Sequence, residues 1–226
     1  MRIALSLSVF VLTLALPTFA GAPKDAPATL MLQPGKLLHS EDFNQPLAKG
    51  WMDGKGKWLI ADGALRGSEL ASDMHGAVKR LPIKFDNAVI QYSFKLEGAK
   101  TTTLSINAAK GHISRVKILP TGFSVQKDAD KKKSEKAVVL DTVTTSISPN
   151  EWHTIVVELS GKDIVAKLDG KHVAFGSHDG IAMPKANIGF TVAGESASFK
   201  NLRVYEGTPM PTWNATKAKI LAERGK

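Results

Sequence analysis

The sequence predicts an all-β fold, an antiparallel sandwich of two sheets with one short helix near the C-terminus. Three observations support this prediction. Short segments alternate between apolar and polar residues with a period of two, turn signals recur about every ten residues, and helical periodicity is absent before Trp213. Such turn spacing is typical of antiparallel sandwiches and barrels, and it excludes a parallel α/β fold.

The clearest element is a hairpin over residues 58–67, in which two apolar runs flank Asp62 and Gly63. This dipeptide supplies the positive φ angles that a tight two-residue turn requires. Before the hairpin, residues 36–43 are predicted to form the first strand. The Pro- and Ala-rich segment 23–35 is predicted to be a flexible leader.

The rest of the chain continues the alternation. Ala88, Ile90, Tyr92, Phe94 and Leu96 share one face of a strand. The further predicted strands are 104–108, 112–119, 123–127, 137–143, 152–159, 164–168, 172–175, 187–193 and 198–205, the last at a sheet edge. The charged run 127–136 is predicted as a solvated loop, and residues 213–224 as a basic helix pinned to the domain by Trp213 with Ile220 or Leu221.

The N-terminus has the features of an export signal. Arg2 precedes an apolar run over residues 3–16, and small residues follow, so we expect cleavage after Ala22 or, as a second choice, after Ala20. The run is short for a membrane span, although an uncleaved anchor remains the alternative. The chain contains no cysteine. We therefore expect an exported bacterial protein, periplasmic or secreted, that folds without disulfides.

These features divide the chain into four parts: a signal peptide (1–22), the leader (23–35), one domain (36–206) and a tail with the helix (207–226). The formal net charge is +9, which predicts attraction for anions such as acidic polysaccharides. No basic stripe is interleaved with stacking aromatics, so nucleic acid is not an expected partner. No metal-ligand spacing is present and no cofactor is expected, with Ca²⁺ bound by loop oxygens left open.

Several motifs occur in a characteristic order. They are G-W at 50–51, W-x-x-x-D-G-x-L-x-G at 58–67, P-N-E-W-H-T at 149–154, L-D-G at 168–170, G-I-A at 180–182 and F-K-N-L-R-V at 199–204. In these residues the chain resembles the 3-keto-disaccharide hydrolase domain family over residues 36–206. The resemblance implies a concanavalin A-like jelly roll and hydrolysis of 3-keto-glycosides. A non-catalytic carbohydrate-binding module of the same fold is the alternative.

The activity that the resemblance implies needs a base and a group that stabilises an oxyanion. His112 and Arg115 are the predicted catalytic pair. They lie three residues apart, on opposite faces of a regular strand, so they converge only if the strand begins after His112 or contains a bulge. The alternative is an exposed loop histidine and an ordinary surface arginine.

Six further residues are candidates for substrate binding: Trp51, Trp58, Asp73, His75, Lys127 and Glu195. The two indoles are sugar platforms or core anchors. Asp73 and His75 form an alternative base and orienting group, or a polar loop. Lys127 opens the charged run and would hold an anionic polymer, and Glu195 would be the general acid of an ordinary glycosidase. The expected ligand is a carbohydrate, acidic glycans included.

Overall fold

The structure, a computed structural model, describes residues 25–130 and 132–225. The predicted signal peptide lies outside these residues. None of the helices in the described part of the chain is long and apolar enough to cross a membrane.

The described residues form thirteen strands and one α-helix. The strands are β1 (Leu32–Glu41), β2 (Met52–Asp53), β3 (Lys57–Ala61), β4 (Ala64–Ser68), β5 (Ala77–Phe85), β6 (Ala88–Asn107), β7 (His112–Leu119), β8 (Gly122–Lys127), β9 (Val138–Thr144), β10 (His153–Ser160), β11 (Asp163–Leu168), β12 (His172–Ser177) and β13 (Lys185–Pro209). Helix α1 spans Trp213–Glu223, as the sequence predicts. The strand pairs are all antiparallel.

The two long strands, β6 and β13, each run through both layers of the sandwich. The first half of β6 and the second half of β13 belong to the first sheet, in the order β12-β11-β10-β6-β13-β4-β3, with β1 also on β13. Their other halves belong to the second sheet, in the order β9-β8-β7-β6-β13-β5-β2.

The packing of the core shows that β6 and β13 each bend from one layer of the sandwich into the other. The rings of Phe190 and Phe199 lie nine residues apart on β13, and a straight strand would separate them by about 30 Å. Their centroids are 4.3 Å apart and the rings are stacked. Tyr92 on β6 packs edge-on against Phe190 at 5.0 Å. The predicted two-sheet sandwich is therefore confirmed, with its aromatic core between the halves of β6 and β13.

Glycines form the bends in both long strands. Gly98 has φ +81° and Gly194 has φ +96°, conformations that L-residues with a side chain rarely adopt. The pairing register between β6 and β13 shifts on both sides of Gly194. A Cβ atom at Gly194 would lie 2.7 Å from the backbone nitrogen of Lys100. Both the backbone conformation and the space at this bend therefore require glycine.

The long strands correct three predictions. Residues 88–107 and 185–209 form one continuous strand each, where the sequence indicated two. Residues 198–205, predicted at a sheet edge, lie in the centre, with β6 on one side and β4 or β1 on the other. The predicted leader is wrong from Leu32 onward, because β1 begins there. The hairpin at Asp62 and Gly63 is confirmed, and both residues have positive φ.

The N-terminal segment and α1 cover part of the outer surface of the first sheet. The backbone N–H groups of Leu30, Met31 and Leu32 donate to the buried carboxylate of Glu158 at 2.7 to 2.8 Å. Trp213 and Ile220 of α1 are buried in a second apolar cluster on the same surface. Residues at both ends of the described chain are thereby packed against the outer surface of the first sheet.

Candidate functional site

The outer face of the second sheet is polar near the C-terminal end of β6. Leu104 and Ile106 point into the core, so the alternate residues Ser105 and Asn107 point away from it. Residues directly opposite each other in an antiparallel pair share a face. We use the term polar face for the outward residues brought together in this way, which are Arg80, Ser105, Asn107, His112, Arg115 and Asn187.

Two neighbouring rows make up the polar face. One row runs Arg80, Gly189, Ser105, Arg115 across four strands, so its ends are about 14 Å apart at 4.8 Å per strand. A Cβ atom at Gly189 would lie 2.9 Å from Ser105 Oγ and 3.2 Å from Arg80 Cγ. Because Gly189 has no side chain, the surface of the polar face is shallow between Arg80 and Arg115.

The second row runs Asn187, Asn107, His112 and contains a β-bulge, one of the two arrangements expected to bring His112 and Arg115 together. Ile106 pairs with Ser114, but the next residue, Asn107, pairs with His112, so Ile113 is the extra residue on β7. The bulge reverses the alternation at this point. His112 and Arg115 consequently lie on one face, as the predicted pairing of these residues demands.

A chain of hydrogen bonds fixes the tautomer of His112. Ser105 Oγ donates to the carbonyl oxygen of Gly189 at 3.2 Å, and a carbonyl can only accept. Ser105 Oγ therefore accepts from Asn107 Nδ2, at 3.4 Å, and Asn187 Oδ1 also accepts from that nitrogen, at 2.7 Å. With its amide oriented in this way, Asn107 turns Oδ1 towards His112.

The histidine completes this chain. His112 Nδ1 lies 2.5 Å from Asn107 Oδ1, so Nδ1 carries the proton and donates it to the amide oxygen. In the neutral ring the other nitrogen, Nε2, then has an open lone pair. Since His112 is solvent-exposed, that lone pair is accessible to a ligand.

The electrostatic environment keeps His112 neutral. Partial burial of the ring lowers the pKa of His112 below its ordinary value of 6.5, and the cations Arg115 and Arg80 lower it further, while Asp128 opposes them. At neutral pH the imidazole is therefore mostly unprotonated. It is a ring that accepts a proton rather than one that supplies a positive charge.

The two arginines beside His112 differ in their partners. Arg115 Nε donates to Asp128 Oδ1 at 2.6 Å, and the side chain of Asp128 is 5% exposed. Arg80 is half-buried and forms no ion pair within residues 25–130 and 132–225. Arg80 is consequently the better-placed guanidinium for a new negative charge, whereas Arg115 already neutralises a carboxylate.

A cavity of 760 Å³ opens at the end of the sandwich next to the polar face, and we call it the end cavity. His112 and Asp128 line it together with the turn before β7, the loop after β8 and the turn near Gly180. Asp128 Oδ2 is buried and has no hydrogen-bond donor among the described residues. His112 thus lies where the polar face and the end cavity meet.

Among the predicted substrate-binding residues, Lys127 is the one that lies near His112. It is buried, lines the end cavity and binds Glu135 Oε2 at 2.5 Å. Trp51 is a core residue, because its indole stacks with Phe190 at 6.4 Å and packs against Phe43 at 5.8 Å. The assignment of Trp51 as a sugar platform is therefore wrong.

Trp58 lies on β3, at the far edge of the first sheet. Its ring covers Gly67 and lies 6.2 Å from the ring of Phe199, and Nε1 donates to the carbonyl oxygen of Lys55. The ring also lines an apolar cavity of 340 Å³, formed with Pro46, Leu47 and other residues, which does not include His112. Trp58 is therefore not part of the polar face.

Asp73, His75 and Glu195 also lie away from His112. Asp73 Oδ2 accepts from the backbone nitrogen of Gly56, and His75 Nδ1 bonds to the carbonyl oxygen of Gly76. Both residues precede β5 and lie at the opposite end of the second sheet. Glu195 is exposed at the bend of β13, about 25 Å along the strand from Asn187. The geometry supports neither Asp73 with His75 as a base pair nor Glu195 as an acid at this site.

Sequence reasoning missed five residues of this site: Arg80, Ser105, Asn107, Asp128 and Asn187. The alternation of Ser105 and Asn107 with Leu104 and Ile106 was a usable signal for a polar strand face. The other three residues come from β5, β13 and the loop after β8, and only the strand pairing brings them together. No group of three or more His, Asp or Glu residues in the described ranges is placed to hold a metal ion.

The fold is similar to that of several solved structures. The carbohydrate binding module CBM66 from Bacillus subtilis has a TM-score of 0.59 at 15% identity, over 70% of this chain and 96% of that module. A galectin-like protein of unknown function from Bacillus subtilis has 0.64 at 12% identity, over 80% and 100%. The β-glucanase of Bacillus licheniformis has 0.56 at 12% identity, over 76% and 98%. At such identities the likeness shows the fold alone, a concanavalin A-like jelly roll.

A search of proteins with curated function gave no match. By contrast, residues 40–205 match the family described as the 3-keto-alpha-glucoside-1,2-lyase-like domain. The match covers well over half of the chain and includes all the residues of the polar face. The resemblance seen in the sequence is confirmed, and the chain belongs to this carbohydrate-active domain family.

Proposed function

We propose that the protein is an enzyme that removes the C1 substituent of 3-keto-glycosides, with His112 as the base. The observation that carries this proposal is the hydrogen-bond chain that ends on His112 Nδ1 and leaves Nε2 as an open acceptor. A neutral imidazole with that tautomer is suited to abstract a proton near pH 7. The lowered pKa of His112 supports the same role.

The chemistry of a 3-keto sugar matches these groups. A ketone at C3 acidifies the hydrogen on C2, and His112 Nε2 takes that proton. The electron pair of the C–H bond forms an enolate, whose negative charge lies on the C3 oxygen. The electron pair of the enolate then forms the C1–C2 double bond, and the C1–O bond breaks. The leaving group departs with the electron pair of that bond and takes up a proton. Addition of water to the double bond would complete a hydrolysis.

The enolate needs a positive charge near the C3 oxygen, and Arg80 provides the best candidate on the polar face. It has no ion-pair partner in the described part of the chain, and it is close enough to lower the pKa of His112. Arg115 keeps Asp128 neutralised and contributes positive charge to the same region. Preorganised charges of this kind stabilise a transition state more than a ground state.

Release of 4-nitrophenol from its 3-keto-glucoside tests the proposal. We expect turnover by the wild-type protein and a loss of about 10²- to 10⁴-fold in kcat/KM for His112→Ala, the range for removal of a general base. His75→Ala is the matched control, because His75 is exposed at the opposite end of the second sheet. Retention of the glucoside without turnover would refute the enzyme and favour a carbohydrate-binding module.

We further propose that the chain is exported through residues 1–22. This proposal depends on the sequence pattern alone, an N-terminal Arg2 followed by an apolar run and small residues. N-terminal sequencing of the protein recovered from a bacterial periplasm or culture medium is expected to begin at Pro23. A start at Met1 would contradict cleavage.

A further inference from the structure

We infer that the end cavity binds the leaving group of the glycoside and that it favours a leaving group with a negative charge. This inference rests on the proposed function, because the C1 substituent is a leaving group only in that reaction. It is carried by a separate observation, the pairing of the charged residues that line the cavity.

Positive charge is in surplus around the end cavity. Lys110, Lys132 and Lys133 line it, and all three are exposed. None of the three forms an ion pair within residues 25–130 and 132–225. Each ammonium group therefore has donors available for a ligand that enters the cavity.

Three of the four acidic residues that line the cavity already have cationic partners. Asp128 pairs with Arg115 at 2.6 Å, Glu135 with Lys127 at 2.5 Å, and Asp179 with Lys162 at 3.3 Å. The hydrogen bond from Lys127 lowers the pKa of Glu135, which keeps that carboxylate ionised and paired. The remaining acid, Asp130, accepts from the backbone nitrogen of Lys132. The single negative charge of Asp130 therefore offsets only one of the three lysines, and positive charge remains in excess.

The position of the cavity decides which part of a substrate it would hold. His112 lies at the boundary, with the polar face on one side and the cavity on the other. The keto sugar belongs on the polar face, because Arg80 lies there. A glycoside whose C2 hydrogen is at His112 then extends its C1 substituent into the cavity.

Binding of two matched glucosides tests this inference without any turnover. The probes are 4-carboxyphenyl and 4-carbamoylphenyl β-D-glucoside, which differ in charge and lack the 3-keto group, and the measurement is isothermal titration calorimetry with the wild-type chain. We expect the carboxylate to bind about tenfold more tightly at low salt, with the difference shrinking as ionic strength rises. Equal affinities, or no binding of the carboxylate, would overturn the inference.

A charge-matched pair of variants locates the effect. The triple variant Lys110→Ala, Lys132→Ala, Lys133→Ala is expected to lose the preference for the carboxylate. The control removes three other exposed lysines, Lys36, Lys49 and Lys57, and is expected to keep the preference. Loss of the preference in both variants would show a long-range charge effect and refute the cavity as its source. If the proposed activity is wrong but the cavity prefers an anion, 4-nitrophenol is not released and the preference for the carboxylate is still measured.

Discussion

Asn107 is expected to determine the activity of His112 without touching the substrate. Substitution of Asn107 by Ala removes the oxygen that accepts the Nδ1 proton at 2.5 Å. A typical hydrogen bond contributes about 0.5 to 1.5 kcal/mol net, so the preference for the Nδ1-protonated tautomer should fall by about that amount. Each 1.4 kcal/mol corresponds to a factor of ten in the tautomer equilibrium, which predicts that kcat falls by up to about tenfold.

Two measurements on Asn107→Ala separate this role from a general loss of structure. One is kcat and KM on the 3-keto-glucoside, where kcat should fall and KM should change little. The other is ¹⁵N NMR of the His112 ring, which should report a shift from the Nδ1-protonated to the Nε2-protonated tautomer. The two changes are expected together, because they have one cause.

The conservative variant Asn107→Asp provides the rescue. It keeps an acceptor oxygen opposite Nδ1, so the tautomer should be retained, and its negative charge should raise the pKa of His112. The acid limb of the pH profile should therefore move to higher pH. An unchanged tautomer and kcat in Asn107→Ala would refute the reasoning, as would equal losses in both variants.

Three further predictions concern pH and stability. Because the pKa of His112 is below 6.5, kcat/KM should stay level from pH 8 down to about 6.5 and fall only below it; an inflection above 6.5 would contradict this. Glu158→Ala leaves three backbone N–H groups without their acceptor and should cost about 3 kcal/mol in urea unfolding, whereas exposed Glu206→Ala should cost almost nothing. Gly194→Ala should destabilise the fold by at least about 1 kcal/mol more than Gly111→Ala, because the two glycines have nearly equal φ, +96° and +100°, but only Gly194 is crowded; equal losses would refute the crowding.

The alternation of apolar and polar residues was sufficient to predict the sandwich and most of its strands, because burial of one face fixes a period of two. It failed at Gly98 and Gly194. In a linear sequence a glycine that bends a continuous strand has the same appearance as one that ends it. The two strands that cross both layers were consequently divided into four, and the central position of residues 198–205 was missed.

The site was partly predictable for a similar reason. His112 and Arg115 were selected because of their chemistry, and their convergence depended on a bulge, but no residue pattern around Ile113 indicates one. Arg80 and Asn187 join the polar face through pairing of β13 with β5 and β6, which the chain order does not reveal. Whether a tryptophan is buried or exposed depends on packing. Alternation places an indole on one face of a strand, but it does not reveal whether another side chain covers that indole, as Phe190 covers Trp51.

The most direct test of the account is a comparison of 3-keto-glucosides with hydrogen or deuterium at C2. If His112 abstracts that hydrogen in the slow step, the wild-type protein should release the leaving group more slowly from the deuterated substrate, and His112→Ala should lose turnover of both. Equal rates for the two substrates together with full activity of His112→Ala would contradict the assignment of His112 as the base.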